Sequence, residues 1–165
     1  MGKENGQHHM DEDSAKSSKT TTEAAAKRLP GSRNGKAQGE LAELAFMHKA
    51  ASLGFGVAKP YGDNRRYDFI LEAGGRLSRV QVKSTQSAFG RGYRVHSHGN
   101  TRFGKTTYTP EEIDFLVAHI HGENIWYVVP AYAIVNRDGL CLYPHGSRKN
   151  AGRFEQYREA WHLMK

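Results

Sequence analysis

Asp68, Gln81 and Lys83 lie on two alternating stretches, Tyr67 to Glu72 and Arg76 to Thr85, that meet at Gly74-Gly75. A carboxylate, an amide oxygen and an ammonium gathered at one point have a definite chemistry. Oxygen donors suit a hard divalent cation such as Mg²⁺, which takes one or two carboxylates and keeps other positions for water and a substrate phosphate. Such an ion polarises a phosphodiester and lowers the pKa of an attacking water. A neighbouring lysine orients that water or stabilises the developing negative charge.

Whether the groups meet depends on strand register. Gly-Gly suits a two-residue hairpin loop, whose residues need positive φ. With Gly74 and Gly75 as the loop, Ala73 faces Arg76 and Asp68 lies opposite Gln81. One face then carries Tyr67, Phe69 and Leu71 against Val82, Val80 and Ser78, and reads as core. The other carries Asp68, Ile70 and Glu72 against Gln81, Arg79 and Leu77, with Lys83 following on the same side. A one-residue slip would mix the faces, so the apolar pattern supports the register independently of the turn. Directly opposed residues stand roughly 4.5–5.5 Å apart at Cα, so Asp68, Gln81 and Lys83 should converge.

The preceding helix adds a carboxylate. Residues 39–53 carry a helical pattern with Gly54 as a C-terminal stop. Phe46, Leu44, Met47, Ala50 and Ala51 make one broad apolar face, with Glu43 inside it, Glu40 near its centre and Lys49 opposite. A carboxylate on a buried face is costly unless paired or coordinated. Glu43, one turn deeper, is the fourth candidate for the site. Glu40 is the second choice, and its plainer role is to complement the helix N-terminus.

The remaining elements frame these groups. Gly54 to Lys59 reads as a short strand. Residues 87–108 are a Gly-, Arg- and His-rich connection, extended at Tyr93 to His96. Thr109-Pro110-Glu111-Glu112 has the marks of a brief helix start with a capping box. Phe115 to Ile120 and Ile125 to Val129 are apolar strands, residues 131–136 a short helix, and Leu140 to Tyr143 an edge strand. Trp126 and Tyr127 alternate across their strand, so one of them belongs to the core. Arg153 to Met164 places Phe154, Tyr157, Ala160, Trp161 and Met164 at helical spacing. The order implies an α/β domain, a mixed β-sheet flanked by helices.

The chain has 165 residues and a net charge of +7, which suits one domain and a polyanionic partner. Residues 1–36 lack Val, Ile, Phe, Tyr, Trp and Cys and read as a disordered, basic and polar tail; residues 37–165 form the domain. His8-His9 is only a pair and is given no role. One cysteine, Cys141, excludes an internal disulfide and a Cys-rich zinc site. The absence of a signal peptide or a bilayer-length apolar run leads to the expectation of a cytoplasmic protein with no membrane partner.

Two other patterns compete. Gly99 to Thr106 matches GxxxxGK[ST], but neither a buried strand before it nor a helix directly after it is present, so no nucleotide cofactor is expected. The same basic segment offers Arg91, Arg94, Arg102 and Lys105, with His96 and His98, as contacts to a DNA backbone. His96-Ser97-His98 and His119-Ile120-His121 each put two imidazoles on one side of a strand. Without further ligands at suitable spacing they read as exposed or satisfied histidines.

Gly39-Glu40-Leu41-Ala42-Glu43, Pro60-Tyr61-Gly62-Asp63, Tyr67-Asp68 and Val80-Gln81-Val82-Lys83 resemble the PD-(D/E)xK nuclease superfamily, nearest to its small group I intron homing-type endonucleases. The resemblance is clear over residues 39–85 and looser through Asp114 and Ile125 to Pro130. It implies a restriction-endonuclease-like fold and Mg²⁺-dependent hydrolysis of DNA phosphodiesters, with Mn²⁺ able to substitute. It makes Asp68 the metal-binding Asp, Gln81 the occupant of the D/E position, Lys83 the lysine and Glu43 the helix glutamate. Tyr67 stands where Pro often stands, and Gln81 replaces an acid, as it does in the homing branch. A homodimer follows as an expectation, since one site cuts one strand and a duplex needs two cuts. The alternatives are a Holliday-junction or repair nuclease on the same fold, and a DNA-binding module that has lost its metal.

Overall fold

The Gly74-Gly75 loop forms with φ of 58° and 80°, and Ala73 pairs with Arg76. The expected register runs back through Phe69 opposite Val80. Asp68, one residue before the ladder, still donates its N–H to Val80 O at 2.8 Å. These relations come from a computed structural model that describes residues 1–2, 35–62, 64–102, 104–146 and 152–165. The expected tail lies outside the described residues apart from residues 1–2 and 35–36. The chain divides into two units, Met1–Gly31 and Ser32–Lys165, and the second carries every element below.

Helix α1 (Gly35–Ser52) leads into a five-stranded sheet. Its strands are β1 (Gly56–Ala58), β2 (Phe69–Ala73), β3 (Arg76–Thr85), β8 (Phe115–Ile120) and β9 (Ile125–Pro130), adjacent in that order. The β3–β8 pair is parallel and the other pairs are antiparallel, so the sheet is mixed as expected. The connection between β3 and β8 is more structured than its glycine content indicates. It holds β4 (Ala88–Phe89), β5 (Gly92–His96), β6 (His98–Thr101) and β7 (Gly104–Thr107). With β10 (Gly139–Leu142), β5 and β4 form a three-stranded sheet in the order β10-β5-β4, while β6 and β7 make a separate hairpin.

The sheet is covered on both sides. One face packs Phe69, Leu71, Val80, Val82, Val117 and Trp126 against Phe46 of α1 and against Trp161 and Met164. The other packs Leu116, Ala118, Tyr127 and Val129 against Val95, Leu140 and Leu142. Both Trp126 and Tyr127 are therefore buried, each in its own cluster. Tyr67, expected with Phe69 and Leu71, packs on the second cluster instead, because the chain has left the ladder at that point.

Three helical expectations change. The buried face of α1 is Ala42, Phe46 and Ala50, while Leu44 and Met47 are exposed at 58% and 39%. Small alanines let the helix sit close to the sheet, and the buried face is turned about a quarter turn from the expected one. Lys49, expected in solvent, pairs with Glu159 at 3.5 Å and lies over the Trp161 ring. The C-terminal segment is no α-helix but two 3₁₀ turns, Glu155–Tyr157 and Trp161–Met164. Between them Arg158 bridges to Tyr127, and Glu159 takes φ 48°. Glu159 donates its N–H to Trp126 O at 2.8 Å, while its side-chain Oε1 accepts the Trp126 N–H at 2.9 Å. The segment thus covers the open edge of β9, a use incompatible with a continuous helix. The expected helix at Thr109 is a turn only, though the Glu112 carboxylate does accept the Thr109 N–H at 3.2 Å.

His119 on β8 is buried and stacks on Trp126 with centroids 3.8 Å apart and planes at 5°. Both ring nitrogens lack a hydrogen-bond partner of ordinary geometry among the described residues. Burial, with His121 adding to it, pushes its imidazole down to about 4, and Asn124 and Glu159 only partly offset this. Between about 4 and 6.5 the unfolded chain binds the proton and the folded chain does not, so stability is lost as pH falls through that window. This group alone should remove about 2 kcal/mol between pH 7 and pH 5. His119→Phe keeps the stack and should flatten the slope in urea unfolding at the two pH values. An unchanged slope would mean the imidazole is not the acid-sensitive group.

Candidate active site

Asp68 is the centre of the polar cluster. Its Oδ2 accepts the Val82 N–H at 2.8 Å and the Gln81 side-chain amide at 2.6 Å. The Gln81 amide nitrogen also reaches Val82 O at 3.2 Å, so this group is tied to the protein and the amide oxygen is the atom left to receive a ligand. Gln81 is buried at 7% exposure, held in the middle of β3 with β2 and β8 on either side. Burial pushes the Asp68 carboxyl up to about 6; the Val82 N–H pulls it down, Glu43 adds to the rise, and Lys83 and the Gln81 amide oppose it. A carboxylate raised in spite of two hydrogen bonds and a nearby lysine has charge left uncompensated, which a cation would satisfy.

Glu43 projects from α1 toward the same region. It and Asp68 both line a cavity of about 190 Å³, and its Oε2 accepts from Lys59 Nζ at 2.7 Å. This bond and the neighbouring carboxylates raise the Lys59 pKa. Glu40 lies on the exposed side of α1, because the buried face is turned away from it. The structure therefore brings together Asp68, Gln81 and Glu43, while the exposed Glu40 shares a neighbouring cavity with Glu43 and Lys59 and does not line the one that holds Asp68.

Lys83 stands one strand position beyond Val82, half-buried, with Nζ 5.5 Å from the centroid of Tyr108. It opens onto a larger cleft of about 520 Å³ whose wall includes Gln38, Arg94, His98 and Lys105. Two of the four expected phosphate contacts, Arg94 and Lys105, share this cleft with Lys83. Arg91 and Arg102 are exposed and do not line it. The GxxxxGK[ST] match is the β6–β7 hairpin, with Phe103 outside the described residues. A Cβ on Gly99 would come within 2.7 Å of Arg66 Nη1 and Tyr108 Oη, so close packing accounts for that glycine. Asp63 of the Gly-Asp pair also lies outside the described residues.

Two contributors carry no sequence signal. Lys59 follows β1 as any solvated lysine would, yet it neutralises Glu43. Arg66 stacks on Tyr108 at 4.5 Å, pairs with Glu112 at 3.1 Å and donates to Thr106 O at 2.9 Å, fixing the segment before Asp68 to β7. Among the described residues no helix is long and apolar enough to cross a membrane.

The donor set fits a hard divalent ion. Two carboxylates and an amide oxygen, with no thiolate or imidazole among them, match the preference of Mg²⁺ and Mn²⁺. A family profile described as PD-(D/E)XK endonuclease matches residues 33–164. The chain is also similar to a solved bacterial homing endonuclease, I-Ssp6803I, at 32% identity and a TM-score of 0.69, over 78% of this chain and 91% of that one. No curated protein matches the chain.

Proposed function

Because the chain belongs to the PD-(D/E)XK endonuclease family, we propose that it is a Mg²⁺-dependent, homing-type DNA endonuclease whose chemistry is centred on the Gly74-Gly75 hairpin. The observation that carries this reading is the raised, half-buried Asp68 carboxylate held by Gln81 and Val82 beside Glu43. Asp68, Gln81 and Glu43 would hold the ion, which when bound supplies Lewis-acid polarisation of a phosphodiester oxygen. The chain's own residues do the rest. Asp68 and Glu43 keep negative charge facing the cavity; Lys83 stabilises the charge that develops on the phosphate and orients the attacking water. Arg94 and Lys105 hold the strand along the cleft through its phosphates. Lys59 pairs with Glu43 at 2.7 Å and would have to give up this contact for Glu43 to hold a cation.

Titration of Mn²⁺ by electron paramagnetic resonance tests the ligand set. Glu43→Gln should weaken binding about 10-fold or more, Asp68→Asn should abolish the high-affinity site, and Glu40→Gln should leave it unchanged. Binding that is indifferent to Asp68 would refute the assignment. A homodimer completes the reading, because a duplex needs two cuts, and the exposed Leu41, Leu44 and Met47 offer α1 an apolar surface for a second copy. Solution scattering should give a dimer mass on DNA; a monomer there would contradict it.

A further inference from the structure

Outside the Asp68 site, three metal-ligating side chains meet on and beside the wall of the large cleft. His96 ends β5 and His98 begins β6, with ring centroids 4.8 Å apart. Asp138 reaches the same point from the turn before β10, its Oδ1 3.6 Å from His98 Nε2. One ligand atom from each of the three lies within 4.8 Å of the other two. The backbone enforces the meeting. Ser97, fully buried between the histidines, donates its N–H to Asp138 O at 3.2 Å and its hydroxyl to Arg137 O. His96 pairs with Gly139 across β5 and β10, and Asn136 turns the chain at φ 56°.

We propose that His96, His98 and Asp138 form a second metal site, for a borderline transition ion of the Zn²⁺ class, with its fourth position open to the cleft. Two imidazoles and a carboxylate are the donors such ions prefer, whereas the oxygen-only set at Asp68 suits Mg²⁺. Bonds of ~2.0–2.1 Å in a tetrahedron put ligand atoms roughly 3.3 Å apart. The His98–Asp138 separation is already near that, the three ligand atoms lie within 4.8 Å of one another, and the His96 side chain is exposed and has room to reorient. Arg94 does not block the site. It pairs with Oδ2 of Asp138 at 3.3 Å and leaves Oδ1 toward the imidazoles, the outer-sphere support that ligating carboxylates usually have. Lys83 and Lys105 act on His98 and oppose a cation, which sets the affinity below that of a closed structural zinc site. A bound ion would clip the β5–β6 junction to the 136–138 turn and present a Lewis acid to an anionic oxygen lying in the cleft.

Co²⁺ titration followed by visible absorption tests this on the full chain carrying His8→Ala and His9→Ala, so that the tail pair contributes nothing. The expected result is a tetrahedral Co²⁺ spectrum, displaced by Zn²⁺ and not by Mg²⁺. His98→Ala and Asp138→Asn should each weaken it ~100-fold, and Arg94→Ala about 10-fold, as for an outer-sphere partner. Asp68→Asn should leave it unchanged, which separates this site from the Mg²⁺ site. Asp138 is exposed, so its variant should melt normally without metal and gain nothing from Zn²⁺, while the unsubstituted chain gains. No tetrahedral spectrum, or one that survives His98→Ala, would overturn the proposal.

Discussion

Asp68→Asn should give a protein that folds better and cuts no DNA. Burial holds this carboxyl near 6 instead of 3.8, so above pH 6 the folded chain carries a charge that the unfolded chain carries at no cost. The penalty is fully present at pH 7.5 and disappears as pH falls from about 6 to 3.8. Asparagine keeps an oxygen to accept from Val82 N and from Gln81, so it loses no hydrogen bond. The expected gain in EDTA at pH 7.5 is about 3 kcal/mol, a rise in Tm of roughly 10 °C. Cleavage should fall about 10³-fold or more, since a neutral amide cannot replace the carboxylate against a divalent ion. Calorimetry and cleavage on the same preparation check both halves. A variant that melts below the parent would show that the charge is already compensated. His119 and Asp68 titrate with opposite signs below pH 6, so the stability measurement is cleanest in the His119→Phe background.

Lys83→Ala should slow the chemical step about 10²–10³-fold while leaving DNA affinity nearly intact, the loss expected when one group facing developing charge is removed. Its ammonium lies over Tyr108 on the wall of the cleft, and its charge acts on Asp68. Lys105→Ala should do the reverse. It should weaken binding across sequences and reduce the salt slope by about 1, with the single-turnover rate at saturation unchanged. Single-turnover cleavage and salt-dependent anisotropy separate the two; equal effects on both quantities would remove the distinction between chemistry and grip.

The site was largely legible because its geometry is local. A Gly-Gly turn and a period-two apolar pattern set one register, and that register alone puts Asp68 against Gln81 with Lys83 beyond. The helix face was harder. Leu44 and Met47 are more apolar than Ala42 and Ala50, but the alanines face the sheet because closeness of approach outweighs side-chain size there. Glu43 remained near the site only because it lies on the flank that both readings share. The C-terminal segment shows apolar spacing of a helix, yet Arg158 and Glu159 serve the edge of β9, and that demand is invisible until β9 is placed. Asp138 likewise joins His96 and His98 only through the β5–β10 pairing, a contact between distant parts of the chain.

Sequencing the ends cut from a randomised duplex library tests the central claim most directly, because it does not require the target to be known. With Mg²⁺ the parent chain should generate defined ends at a preferred sequence; EDTA, Asp68→Asn and Lys83→Ala should each abolish them. Ends that persist in EDTA or in Asp68→Asn, or no metal-dependent ends from any member of the library, would contradict a nuclease centred on this hairpin.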